Sequence, residues 1–152
     1  HQLLQQLGLA MNLPGLAFDA NGCARFLVDG RIAINCENDE PGGRLHLYAS
    51  IAPLPADGRE AVYRQLLEGN LFGAQTRGAT LSVDTLYDEI LLCRSIRVEG
   101  ADVPGLTQVL ESFIAATEDW SQRLAAPVSG EIPGNPGTDP MEPRVQSYFL
   151  KV

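Results

Sequence analysis

The sequence predicts an α+β fold, a five- to six-stranded antiparallel sheet with three helices in the order α-β-β-β-α-β-β-α. Apolar residues recur at helical spacing in three separated segments, at the start, middle and end of the patterned region. Between these segments lie short runs in which apolar and polar residues alternate with period two. Turn residues, not long crossovers, join the runs, which makes neighbouring strands antiparallel.

The first helix is read from Leu3, Leu4, Leu7, Ala10 and Met11. Leu13-Pro14-Gly15 ends it, because the residue before a proline avoids the α region. A meander follows. Leu16 and Phe18 share a face, as do Phe26 with Val28, then Ile32, Ile34 and Cys36. Leu45, Leu47, Ala49 and Ile51 come next, with Arg44, His46, Tyr48 and Ser50 opposite. Ala20-Asn21-Gly22, Asp29-Gly30 and Pro41-Gly42-Gly43 supply the turns.

Asp57 is expected to open the second helix, with Glu60 in the capping-box position three residues on. Its stripe is Val62, Tyr63, Leu66 and Leu67, and Asn70 and Gly73 are its terminators. Two strands follow, roughly 80–83 and 89–98. The second carries Ile90, Leu91, Leu92 and Cys93 unbroken, which predicts a central strand buried on both faces. The last helix runs from about Val103 to Leu124, capped by Asp102 with Pro104 in its first turn. Leu106, Val109, Leu110, Phe113, Ile114, Thr117, Trp120 and Leu124 form its stripe. From Ala126 the composition turns to Pro and Gly, so the chain divides into a domain over 1–125 and a tail over 126–152. The tail ends in Val145-Gln146-Ser147-Tyr148-Phe149-Leu150, which has the content of a short strand. Tyr148, Phe149 and Leu150 are expected to lie on an exposed edge or groove.

The 152 residues, 45% hydrophobic and 20% charged, suffice for one core and argue against wholesale disorder. A net charge of −8 repels phosphate backbones and anionic lipid heads, which argues against nucleic acid and membrane surfaces as partners. No apolar run approaches the roughly 20 residues that cross a bilayer. The start at His1, without a Met, reads as a trimmed or missing leader. Cys23, Cys36 and Cys93 are odd in number and form no C-x-x-C pair, so reduced, buried thiols are expected rather than a metal site or disulfide framework. Catalytic constellations are wanting. His46 is the one internal histidine, and it occupies the polar phase of a strand. No phosphate-binding loop motif occurs, and Asp88 and Glu89 alternate faces of a strand. Glu37, Asp39 and Glu40 lack calcium-loop spacing. No catalytic residue, metal or cofactor is expected.

Taken in order, these segments resemble a known family. LLQQLGLAMNLPGLAFDANGCARFLVDGRIAI is similar to the N-terminal pattern of class I type III secretion chaperones, the Tir-chaperone family. That pattern is a leucine-rich helix, then L-G-x-P-x-L-x-x-D-x-x-G-x-x and a strand. LLEGNLFGAQTRGATLSVDTLYDEILLCRSI resembles the family's L-L-x-x-N helix end, G-x-x-L-x-x-D strand and following apolar strand. FIAATEDWSQRL resembles its final helix through Phe113, Trp120 and Leu124. The resemblance covers about Leu3 to Leu124; the NDEPGGR hairpin and the tail depart from it.

The resemblance implies a homodimer of five-stranded antiparallel sheets with helices on one side, in the bacterial cytoplasm. It implies no enzymatic activity and no cofactor. The partner it implies is the N-terminal segment of a secreted effector, held in extended form through apolar grooves and sometimes by strand addition. Leu3, Leu4 and Leu7 are the first binding candidates, because a terminal helix has less protein around it to bury them. Leu16, Phe18, Phe26, Val28, Ile32 and Ile34 are further candidates that also suit a sheet core. Asp at Leu4 or Leu7 is accordingly expected to spare the fold and abolish binding. By analogy, dimerisation falls on Val62, Leu66, Leu67, Leu81 and Val83. An adaptor that grips another component of the export system is the second reading. A small-molecule or hydrolytic domain with a buried polar pocket around His46 is the third.

Overall fold

The computed structural model describes residues 2–13 and 15–126. Three helices, α1 (Gln2–Ala10), α2 (Arg59–Gly69) and α3 (Val103–Ala125), accompany five strands. These are β1 (Cys23–Val28), β2 (Ile32–Asp39), β3 (Arg44–Pro53), β4 (Thr80–Asp84) and β5 (Glu89–Arg97). The sheet is antiparallel throughout, in the order β1-β2-β3-β5-β4. The expected order of elements is therefore found, with five strands among the described residues.

Leu16 and Phe18, expected to share a strand face, join no strand. Leu16 packs so close to Gly8 that a Cβ on that glycine would stand 2.9 Å from the Leu16 Cβ. Asp19 then turns the chain into β1, its Oδ1 accepting from the main-chain N–H groups of Asn21 and Cys23, each at 2.9 Å. The Asp29-Gly30 turn forms as expected, with φ of 50° and 67° and an Arg31 N–H to Val28 O bond of 3.0 Å.

The start of α2 differs from expectation. Gly58 is the N-cap, at φ 69°, and no side chain caps the helix. Asp57 lies one residue outside, so the capping box with Glu60 does not form. Arg59 secures this end instead, donating from Nε to Pro55 O at 2.8 Å and from Nη2 to Asp88 Oδ1 at 3.1 Å. At α3 the expected cap is present, with Asp102 Oδ1 accepting from Gly105 N–H at 2.9 Å.

The core lies between one face of the sheet and the helices. Leu45, Leu47, Ala49 and Ile51 of β3 and Ile90 and Leu92 of β5 are buried in one phase. The alternate residues, Leu91 and Cys93 among them, are only half-buried. β5 is interior to the sheet as expected, but helices cover a single face, so the expected burial on both faces is not reached. Phe113 and Trp120 of α3 fill the centre. Trp120 Nε1 donates to Gln75 O at 3.0 Å, which ties the loop after α2 to the last helix. Arg123 stands 5.1 Å from the Trp120 ring centre, and its Nη1 donates to Gln75 Oε1 at 2.9 Å. The Trp120 ring occupies the space a side chain on Gly69 would need.

Ala at Gly69 would therefore push its methyl into Trp120 Cζ2 and Cη2. Such overpacking should lower stability by about 1–3 kcal/mol, less the helix-propensity gain of roughly 1 kcal/mol. Urea unfolding of Gly69→Ala checks this; a variant as stable as the parent or more so would show that the ring shifts freely.

Candidate binding surfaces

Three surfaces of the described residues expose groups that a polypeptide could satisfy. The first is a groove where α1 meets the start of α3. Leu3 and Leu4 of α1 form one wall, and Ala101 and Leu106 form the other. Phe18, Leu45 and Val98 make the floor, and Asn38 is its single polar side chain. The enclosed part is about 40 Å³, room for the tip of one apolar side chain. Asn38 Nδ2 donates to Glu40 Oε1 at 3.4 Å, so its amide is turned toward the Glu40 carboxylate.

The second surface is the outer edge of β1. Cys23 N–H donates to Asp19 Oδ1 at 2.9 Å, and Cys23 O accepts from Asp19 N–H at 2.7 Å, so Cys23 faces away from β2. Main-chain direction alternates along an edge strand. Arg25 and Leu27 therefore direct their N–H and C=O groups outward as well, and the Leu27 side chain is exposed. The opposite edge, β4, is partly closed. Asn70 accepts from Leu81 N–H at 2.8 Å and donates to Leu81 O at 3.0 Å, taking both groups at the point where a new strand would pair.

The third surface is apolar and belongs to α2 and the turn after it. Tyr63, Leu67 (72% exposed), Leu71 and Phe72 (78%) lie open together along this stretch of chain. Phe72 adopts φ 55°, a left-handed conformation uncommon for a bulky residue. Leu71 and Phe72 did not stand out in the sequence. An apolar pair directly after the helix terminator Asn70 is the signal that marks them.

The candidate residues separate under this geometry. Leu3, Leu4 and Phe18 come together in the groove. Phe26, Val28 and Ile32 are partly buried against the core on the helix-covered face of the sheet, and Leu16 and Ile34 are within it. Leu4 and Leu7, expected to lie open on a terminal helix, are 4% and 3% exposed. The reason is that α3 lies alongside α1 and buries that face. The expectation that a charge there spares the fold is thereby corrected. Val62, Leu66 and Leu81 are likewise buried within one chain, and Val83 is partly buried. Leu67 alone of the five dimer candidates is fully open.

The reactive side chains are dispersed. His46 Nε2 lies 3.6 Å from Asp39 Oδ2, and both side chains are more than a third exposed. The hollow beside His46, lined in part by Tyr48, Ser82 and Cys93, is open rather than buried. Among the described residues no three His, Cys, Asp or Glu side chains gather as a metal site requires. All three cysteines are free, but only Cys36 is buried, which corrects the expectation for Cys23 and Cys93. Burial pushes the Cys36 thiol up to about 12.

An α+β layer with an apolar groove, an open sheet edge and a separate apolar helix face is the arrangement of a polypeptide-binding protein. Residues 2–121 match the Tir chaperone protein (CesT) family, and the chain belongs to that family. No curated protein sequence matches the chain. Among solved structures, the fold is shared with a chain of the HopA1–SchA chaperone–effector complex, at 22% identity and TM-score 0.67 over 80% of this chain and 91% of that one. A chain of the ExsC–ExsE complex is similar at 21% identity and TM-score 0.68, over 80% and 90%. A chain of the ExoT–SpcS complex of Pseudomonas aeruginosa is similar at 22% identity and TM-score 0.60, over 78% and 93%. Among the described residues no helix is long and apolar enough to cross a membrane.

Leu4→Ala and Leu7→Ala should each lower the unfolding free energy by about 2–5 kcal/mol, as buried leucines do. Leu9→Ala, at a site 80% exposed, should fall within about 0.5 kcal/mol of the parent. Denaturant titration of the three variants distinguishes core from surface, and a neutral Leu7→Ala would contradict the packing of α1 on α3.

A pH dependence follows from Cys36. The unfolded thiol ionises near its ordinary 9.0, whereas the folded thiol stays neutral to about 12. Its contribution to stability is therefore whole below pH 9 and is lost as the pH rises toward 12. Cys36→Ala should flatten the decline in unfolding free energy between pH 8 and pH 10.5. An unchanged slope would mean that Cys36 ionises normally in the folded chain.

Proposed function

We propose that the chain is a type III secretion chaperone, which binds the N-terminal segment of an effector in extended form and keeps it soluble and competent for export. The observation that carries this reading is the pairing of two surfaces in a fold of this family, the α1–α3 groove and the free outer edge of β1. An extended segment would bond through its main chain to Arg25 and Leu27 and place apolar side chains in pockets along the surface. Ordering a disordered segment costs on the order of 2–5 kcal/mol, so apolar contact has to accompany the edge bonds. The chain acts by binding and catalyses nothing, and it works in the bacterial cytoplasm, where cargo awaits export.

The working form is a homodimer whose two subunits meet through the face of Tyr63, Leu67, Leu71 and Phe72. Val62, Leu66 and Leu81 shape that face from beneath, and Val83 lies on the neighbouring edge strand. A stable symmetric interface buries roughly 1,200–2,000 Å² in total. The double variant Leu67→Asp/Phe72→Asp should run as a folded monomer in light scattering at micromolar concentration, where the parent runs as a dimer. A parent of monomer mass, or a variant that stays dimeric, would remove the proposed interface.

Co-expression with candidate effectors, followed by pull-down of their N-terminal fragments, tests the function itself. Leu27→Pro removes one outward N–H without touching the β1–β2 ladder. It should weaken capture of the N-terminal fragment about tenfold while circular dichroism stays unchanged. Capture of folded effector domains in preference to N-terminal fragments would count against the proposal.

A further inference from the structure

The face of the sheet left open by the helices carries two arginines in direct opposition. Arg44 of β3 and Arg97 of β5 are cross-strand partners, and both are exposed. Like charges placed directly opposite on a sheet repel. The chain holds 19 acidic residues against 11 basic ones, so carboxylates are in excess. None separates this pair. Among the described residues the ion pairs are His46 with Asp39, Arg59 with Asp88 and Arg77 with Asp119. Asp39 stands opposite Arg44 on β2 but is engaged elsewhere. Its Oδ1 accepts from Gly42 N–H at 2.9 Å, and its Oδ2 lies 3.6 Å from His46 Nε2. Arg44 turns the other way and donates from Nη1 to Ser95 Oγ at 3.0 Å. The open hollow that begins at His46 and Ser95 has no acidic residue in its lining. Residues 127–152, with the expected edge or groove segment Tyr148, Phe149 and Leu150, lie outside the described residues.

We propose that Arg44 and Arg97 clamp one aspartate or glutamate side chain of the bound effector segment, so that the chain selects segments with an acidic residue near their apolar anchor. This rests on the chain being an effector chaperone. The chemistry favours a carboxylate. A planar guanidinium presents paired N–H donors that match two carboxylate oxygens, and here two guanidinium groups belong to adjacent positions of one face. Ser95 Oγ accepts from Arg44, which leaves its own O–H to donate to the same anion. A bound carboxylate would also relieve the repulsion between the arginines, which no described group of this chain does. A surface of net charge −8 otherwise repels an acidic segment, so the pair supplies discrimination and not general adhesion. The position suits a segment already held in the groove. Leu45 and Val98 line the groove, and Arg44 and Arg97 directly precede them in the chain. Groove and clamp therefore share one end of the sheet on opposite faces. The separation is roughly one sheet thickness, about 10 Å, which three or four extended residues span.

A display library of random dodecapeptides, selected on the immobilised full chain, tests the clamp without a known effector. Peptides captured by the parent should be enriched in Asp or Glu at a fixed spacing from apolar residues. Those captured by Arg44→Gln/Arg97→Gln should not. An acidic peptide selected on the parent should bind this double variant about fivefold more weakly at roughly 0.1 M salt, with the difference gone near 1 M. Arg44→Glu/Arg97→Glu should turn the enrichment to Lys or Arg. In urea, Arg97→Gln should be at least as stable as the parent, because it relieves repulsion and leaves the Ser95 bond in place. No acidic enrichment on the parent, the same enrichment on the glutamine variant, or a less stable Arg97→Gln would each overturn the proposal. So would a glutamine variant that runs as a monomer where the parent runs as a dimer, since the pair would then belong to the subunit interface. The two readings fail separately. Acidic selection by a chain that captures no effector fragment refutes the effector reading and keeps the clamp as a site for acidic peptides. Equal capture of effector fragments by the parent and the glutamine variant does the reverse.

Discussion

Five strands about 4.8 Å apart make a sheet about 19 Å wide, whereas one helix with its side chains is 10–12 Å across. α3 alone therefore cannot dry the face it lies on, and the fold depends on how that deficit is met. α1 lies beside α3, which packs on β2 and β3, and α2 stands against β4 at the far edge of the sheet. Trp120 joins the two solutions. Its ring fills the space above Gly69, and its N–H holds the loop after α2 through Gln75. With Phe113 it makes α3 the element against which the others are positioned.

The same deficit leaves openings. Between α1 and α3, over Phe18 and Val98, the cover is incomplete and a groove results. The two sheet edges receive unequal treatment. Asn70 occupies both main-chain groups of Leu81 on β4, while β1 is closed at Cys23 by Asp19 and is open at Arg25 and Leu27. An unblocked edge invites unwanted strand pairing. A net charge of −8 counters this, because copies of the chain repel one another where no apolar face draws them together. Selective exposure of apolar surface by a strongly acidic protein is thus a consistent design.

Period and punctuation in the sequence determined the element order, the Asp29-Gly30 turn, the Asp102 cap and the stripe of α3. Each is set by residues within a few positions of one another, so local chemistry suffices to specify it. The family likewise follows from the order and spacing of short motifs along the chain. Only the tertiary structure decided the rest, because contacts between distant segments fix it. Leu4 and Leu7 carry the pattern of a surface stripe, and the approach of α3 makes them core. Asp57 and Glu60 have capping-box spacing, but Gly58 turns left-handed where Arg59 reaches Pro55 and Asp88, and that long-range tie overrides the local signal. Alternation in β5 could not say how many faces are covered. Which apolar residues stay open, Leu67 and Phe72 rather than Val62 and Leu66, depended on where α2 meets β4 and Trp120.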